Sequence, residues 1–242
     1  MLSRRTILAA VRATLLGGAS VGNPRLGARP PAAASKTPVE PGLHSLGLRK
    51  RRDALLYVPK LLPESAAPFL ICLHGATGSG ERSIERFREQ ADALGIVLLG
   101  PSSAGNTWDA IRGGFAADGR AIDNALAKAF AMCHVDPKRV GVCGFSDGAS
   151  YALGLGLANG DLFGSIMAFS PGFIPGPIES SGKPRLFLSH GTRDEILPIE
   201  SCSRRIVPEL KRNGYDVTYI EFDGPHRLLP EIAEKGLRWF LG

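Results

Sequence analysis

Cysteine is scarce and never grouped. Cys72, Cys133, Cys143 and Cys202 are the 4 in 242 residues, with no C-x-x-C pair and no Cys/His cluster at ligand spacing, which argues against a zinc-ribbon or disulfide-framework fold. Cys72 and Cys143 fall in apolar runs, where cysteine behaves as a small apolar side chain; we expect free thiols and no structural metal. No apolar stretch reaches the roughly 20 residues that span a bilayer as a helix, so no stable membrane insertion is expected. Glycine-rich turns occur, but neither G-x-x-x-x-G-K-[ST] nor G-x-G-x-x-G is among them, so the sequence carries no signature of a nucleotide phosphate cradle. No internal repeat is visible, which excludes a solenoid.

Acidic residues are missing from the beginning of the chain. Before Glu40 stand six basic residues, Arg4, Arg5, Arg12, Arg25, Arg29 and Lys36, and no Asp or Glu. Without them, 23 basic residues face 23 acidic ones, so the net charge of +6 belongs to the N-terminal segment. A neutral body gives no electrostatic footprint for nucleic acid. The start, Ser3-Arg4-Arg5-Thr6-Ile7-Leu8 followed by small and apolar residues to about Val21, reads as a twin-arginine-type export leader, with an Ala-rich site at Ala32-Ala33-Ala34. The expectation is a leader over 1–34, a linker over 35–42 and one domain over 43–242. Export to the periplasm or medium follows if that leader is read. A mitochondrial transit peptide and a basic tail on a cytoplasmic protein are the competing readings.

The body alternates strands and helices. Leu43–Leu48 and Ala54–Val58 read as edge strands around the basic turn Arg49-Lys50-Arg51-Arg52, which we expect to be a solvated hairpin tip. Continuous apolar runs at Phe69–Leu73, Ile96–Leu99 and Val140–Cys143 are typical of central parallel strands. Ser165–Phe169, Leu186–Ser189 and Val217–Phe222 complete the set. Helices are expected over 81–94, 118–133, 149–158, 199–213 and 230–241. That order implies an α/β fold with a mainly parallel sheet covered on both faces. The Pro/Gly-rich stretch between Ser165–Phe169 and Leu186–Ser189 is too short to fold a helical lid domain.

One stretch carries the chemistry. Gly144-Phe145-Ser146-Asp147-Gly148 lies between the strand ending at Cys143 and the helix from Ala149, the strand–turn–helix setting that gives G-x-S-x-G its meaning. A Cβ on either flank would strike backbone, so both glycines answer to sterics. Ser146 is then a strained, presented nucleophile. A serine needs a base, and the base an orienting carboxylate. Two loops at strand C-termini supply them: His190-Gly191-Thr192-Arg193-Asp194 and Asp223-Gly224-Pro225-His226. The order Ser146, Asp194, His226 is that of an α/β-hydrolase. Glu195 and Asp223 are substitutes for the acid. Leu73-His74-Gly75-Ala76 after a strand would supply one oxyanion N–H, from Ala76, with the Asp147 N–H as its pair. His74 and His190 are read as local loop pins.

These motifs together, with Trp108-Asp109, resemble the phospholipase/carboxylesterase family of α/β-hydrolases, whose best-known members are acyl-protein thioesterases. The resemblance covers residue 43 to the C-terminus. It implies the α/β-hydrolase fold, a serine hydrolase acting on carboxylic or thio esters, no cofactor, and a small-molecule ester as partner. It also makes Trp108 a candidate wall of the acyl pocket, a plain core tryptophan being the other reading. The family's nucleophile motif usually reads Gly-Phe-Ser-Gln-Gly-Gly; here Asp147 and Ala149 depart from it. Without a lid domain, the expected substrates are small or soluble carboxylic esters. Thioesters, polyester or feruloyl esters and peptides are the alternatives for such a triad, and a non-catalytic hydrolase-fold binding protein is the reading outside enzymes. Oligomeric state is not legible.

Overall fold

Strands that are apolar on both faces must be covered on both faces, and among the described residues six helices do this. The computed structural model describes residues 25–31, 39–63, 65–176 and 178–242. The strands are β1 (Gly42–Ser45), β2 (Leu55–Val58), β3 (Ala67–Leu73), β4 (Val97–Gly100), β5 (Val135–Phe145), β6 (Ser165–Phe169), β7 (Arg185–Gly191) and β8 (Val217–Phe222). They form one sheet in the order β1-β2-β4-β3-β5-β6-β7-β8. Pairing is parallel from β4 through β8 and antiparallel only where β2 meets β1 and β4.

The helices are α1 (Gly80–Glu85), α2 (Arg88–Leu94), α3 (Ala117–Met132), α4 (Asp147–Ala158), α5 (Ser203–Arg212) and α6 (Pro230–Leu241). Side chains alternate across each strand. Phe69, Ile71 and Leu73 of β3 therefore join the layer under α3, α4 and α5. Leu70 and Cys72 join the layer with Ile84, Phe87, Ala91 and the α6 residues Ile232, Leu237 and Phe240. All four cysteines are buried and free, with the Cys72 and Cys143 sulfurs 3.6 Å apart across β3 and β5.

Two elements differ from the sequence expectation. The helix expected over 81–94 is broken in two, because Phe87 leaves helical geometry (φ −122°, ψ −1°) and turns into the core against Phe169. The helix expected from residue 199 begins at Ser203. Among the described residues between β6 and β7 none is helical; Pro175 and Ile178 of this stretch lie against Gly154 of α4.

The folded unit also reaches further upstream than residue 43. Leu26 is 5% exposed and belongs to the core. Its N–H donates to Asn159 Oδ1 (2.7 Å), and the Gly27 and Ala28 N–H groups donate to Asp123 Oδ1 (2.9 and 2.8 Å). Arg25 and Arg29 both pair with Asp161 (2.8 and 2.6 Å). So residues 25–31, assigned by the sequence to a leader, form a strap from the side of α3 at Asp123 to the end of α4. Burial pushes the Asp161 carboxyl up, but hydrogen bonds from Arg25 and then Arg29 outweigh it and hold it at about 2. The twin-arginine stretch and Ala32–Ala34 lie outside the described residues.

A measurable consequence follows from the strap. Burying a leucine side chain contributes about 2 kcal/mol, so a form starting at residue 35 is expected to melt roughly 4–8 °C below one starting at residue 25. Asp161 is depressed from 3.8 to about 2 in the fold. Its share of the difference is therefore present above pH 3.8 and lost as pH falls towards 2. Calorimetry of the two forms across pH checks both statements; equal melting temperatures at neutral pH would show the strap to be energetically idle.

Candidate active site

The centre of the sheet ends in a sharp elbow. β5 stops at Phe145, Ser146 adopts φ 58° and ψ −123°, and α4 starts at Asp147. That conformation is strained for a residue with a Cβ, and close packing on both sides enforces it. A Cβ on Gly144 would sit 2.2 Å from Gly148 O, and one on Gly148 would sit 2.3 Å from Leu73 O. The sterics read from the motif are those found. Ser146 is 9% exposed, at the floor of a cleft of about 290 Å³.

The two loops expected to serve Ser146 do converge on it. His226 Nε2 lies 2.9 Å from Ser146 Oγ, and His226 Nδ1 lies 2.6 Å from Asp194 Oδ2. A carboxylate only accepts, so the Nδ1 proton points at Asp194 and Nε2 is left to accept from the serine hydroxyl. Asp194 is held from behind: Oδ1 accepts the N–H groups of Ile196 and Leu197 (3.0 and 2.8 Å). Of the substitute acids, Asp223 pairs with Arg193 instead.

His190 does more than bond its own loop. Its ring is fully buried, with Nδ1 2.7 Å from Ser203 Oγ and Nε2 2.8 Å from Leu197 O. Nε2 also lies 3.2 Å from Asp194 Oδ2. Burial pushes the His190 pKa down, so a neutral ring donates from Nε2 towards Leu197 and Asp194. His190 thus helps fix the carboxylate.

The loop after β3 lies against the elbow: a Cβ on Gly75 would be 3.3 Å from Phe145 O and Ser146 Cβ. Among the described residues, no acceptor engages the N–H of Ala76 or of Asp147. Three side chains pin this loop. The His74 ring bonds Gly75 O through Nδ1 (2.7 Å) and accepts the Ser103 N–H at Nε2 (3.0 Å). Burial lowers the His74 pKa, with the Arg52 cation adding to the effect, which suits a neutral structural ring. Trp108 Nε1 donates to His74 O (2.7 Å). Arg52 donates to Gly78 O (2.9 Å) through Nη2 and to Ser103 O (2.8 Å) through Nε.

Two sequence expectations are corrected here. Trp108 is 0% exposed, stacked between His74 and Tyr151 (ring centroids 4.6 and 5.0 Å), and does not line the cleft. It is a core tryptophan that buttresses the loop from behind. The Arg49–Arg52 turn is not only a solvated tip, since Arg49 bonds Ser102 O and Arg52 crosses to the loop at Gly78. Thr107 was not singled out by the sequence; its hydroxyl donates to Asp147 Oδ2 (2.5 Å). Nothing in the sequence pattern marks Arg52 or Thr107, because their partners are 26 and 40 positions away.

An eight-stranded, mostly parallel sheet with a serine elbow after its central strand defines an α/β-hydrolase. A family model for phospholipase/carboxylesterase matches residues 111–234. The chain belongs to that family, a family of serine hydrolases of the esterase type. No curated protein matches the sequence significantly. Solved structures agree on the fold. Esterase PE8 is 22% identical with a TM-score of 0.63, over 76% of this chain and 97% of its own. The Bacillus cereus carboxylesterase is 17% identical at 0.62, over 77% and 92%. FphF of Staphylococcus aureus, a fluorophosphonate-binding serine hydrolase, is 12% identical at 0.64, over 84% and 100%.

Proposed function

We propose that the protein hydrolyses carboxylic esters through an acyl-enzyme on Ser146. The observation that carries this reading is the continuous hydrogen-bond line from Ser146 Oγ through His226 to Asp194. In the first half-reaction His226 Nε2 takes the hydroxyl proton as Oγ attacks the ester carbon, then returns it to the departing alkoxide. In the second, His226 takes a proton from water as its oxygen attacks the acyl carbon, then gives that proton to the departing Ser146 Oγ, releasing the acid. Asp194 keeps the ring in the tautomer with Nε2 free and stabilises the imidazolium. The unengaged N–H groups of Ala76 and Asp147 serve the tetrahedral oxyanion. The cleft at Ser146 is lined by the loop after β3, the Arg82–Arg86 turn, Ile196 and His226, and its volume of about 290 Å³ suits small or soluble esters.

The test is a chain-length series of para-nitrophenyl esters and matching thioesters. Highest kcat/KM on short soluble esters is expected; a strong preference for thioesters, or for long-chain emulsions, would replace the substrate class while leaving the mechanism.

Arg52 gives a second prediction. Its guanidinium ties the oxyanion loop to the 102–103 backbone. Arg52→Gln is expected to lower kcat about ten- to a hundredfold with little change in KM, short of the full loss of an oxyanion donor. Steady-state kinetics on one short ester separate the two parameters. A pure KM effect would remove Arg52 from this role.

We also propose export through the leader at residues 3–21, with residue 25 onward retained by the mature protein, since the strap is part of the fold. N-terminal sequencing of the processed protein tests this; a start beyond Ala34 overturns it.

A further inference from the structure

The cleft at Ser146 is lined by two arginines and no carboxylate. Arg82 and Arg86 line it beside Phe145, Ser146, Ile196 and His226. They stand one helical turn apart, at the spacing that puts side chains on one face. None of the described residues forms an ion pair with either of them; the neighbouring Glu85 pairs with Arg88. Arg86 lies over the Phe145 ring, 5.0 Å from guanidinium carbon to centroid, and Phe145 stacks on His226 at 4.8 Å. The cation is thus one aromatic ring away from the base. Both side chains keep much of their surface in solvent; partial burial of the Arg86 guanidinium and then the Arg82 charge push the Arg86 pKa down, so two like charges stand together at the cleft.

The acidic groups near the mouth do not relieve this. Asp194 is buried behind His226 and accepts its Nδ1–H. Asp223 pairs with Arg193, and Glu195, though exposed, does not line the cleft. Two like charges held together next to an apolar ring are unfavourable by themselves. An anion between them would gain charge-assisted hydrogen bonds and remove their repulsion.

We infer that the site selects esters bearing a negatively charged group, a carboxylate or a phosphate, held by Arg82 and Arg86 while the ester carbon meets Ser146. This rests on the hydrolase reading above and deepens it to a substrate class. Exposed Ile196 on the opposite loop supplies an apolar rim, so the charged group and the apolar part of a substrate have separate places.

The test uses isosteric pairs differing only in charge. One pair varies the leaving group, para-acetoxybenzoate against para-acetoxybenzamide. The other varies the acyl side, the mono-para-nitrophenyl ester of adipic acid against its terminal amide. A phosphate arm compares para-acetoxyphenyl phosphate with its neutral dimethyl phosphate ester. The expected result is a preference of about tenfold or more in kcat/KM for the anionic member of at least one arm, the arm identifying which side carries the charge. The preference should fall with added salt, collapse towards unity in Arg82→Gln/Arg86→Gln, and survive in Arg82→Lys/Arg86→Lys. Equal or lower rates for the anionic member in every arm overturn the inference, as does a preference that persists in the double Gln variant. Ser146→Ala is run alongside on the neutral amides. If it still hydrolyses them, the hydrolase reading fails; if it is inactive while wild type shows no charge preference, only the inference about charge fails.

Discussion

Ser146→Ala is expected to lower kcat on any ester by roughly ten-thousand- to a millionfold. The alanine keeps the elbow backbone and both N–H groups proposed for the oxyanion but has no oxygen to form the acyl-enzyme. His226→Ala should cost about as much, because the hydroxyl at 2.9 Å then has no acceptor for its proton. The double variant should be little worse than either single one, since the two side chains act as one unit. Fluorophosphonate labelling is the direct check. Wild type should take up one equivalent, Ser146→Ala none. Stoichiometric labelling of the alanine variant would move the nucleophile elsewhere. The prediction is independent of substrate preference, so it holds whether the alcohol, the thiol or the charge of the acyl group turns out to decide turnover.

Gly148→Ala is expected to be nearly as damaging, but through the fold. The added Cβ would lie 2.3 Å from Leu73 O and 2.6 Å from His74 O, against backbone that cannot rotate away. Relieving that overlap must push α4 off β3, and strain of this kind belongs with losses above about 4 kcal/mol. We expect aggregation on expression, or a melting temperature lower by roughly 8 °C or more. Gly114→Ala is the control. Its Cβ would meet nothing within 4 Å, and its φ is not in the positive region, so its melting temperature should stay close to wild type. Equal behaviour of the two variants would mean that α4 can shift off β3 at little cost. Moving α4 would also displace Ser146 and the Asp147 N–H, so any folded Gly148→Ala protein should lose activity too.

Much of this was legible in the sequence, and for a local reason. A buried parallel strand needs an unbroken apolar run, a tight elbow needs Gly144 and Gly148, and residues on loops after strands gather at one edge of a parallel sheet. Those constraints operate within a few positions of the chain. They were enough to predict the mainly parallel sheet and to name Ser146, Asp194 and His226, which the structure brings into hydrogen-bond reach.

What the sequence could not give are the contacts that cross the fold. The resemblance to the family made Trp108 a candidate pocket wall with a core tryptophan as the other reading; only the packing of His74 and Tyr151 around it shows that it faces inward. The Arg52 stretch reads as a charged hairpin tip, and its reach to Gly78 depends on how β2 lies beside β4. The strap at 25–31 reads as part of a leader, yet Asp123, Asn159 and Asp161 converge on it. Arg82 and Arg86 look like an ordinary solvated helix face until the packing of Arg86 on Phe145 shows them lining the cleft at Ser146. The sequence alone determined the order of elements and the candidate triad, because backbone sterics and hydrophobic periodicity are short-range. The tertiary structure decided what holds those residues and what charge they meet, because a side chain's partners are set by three-dimensional packing between segments far apart in the chain.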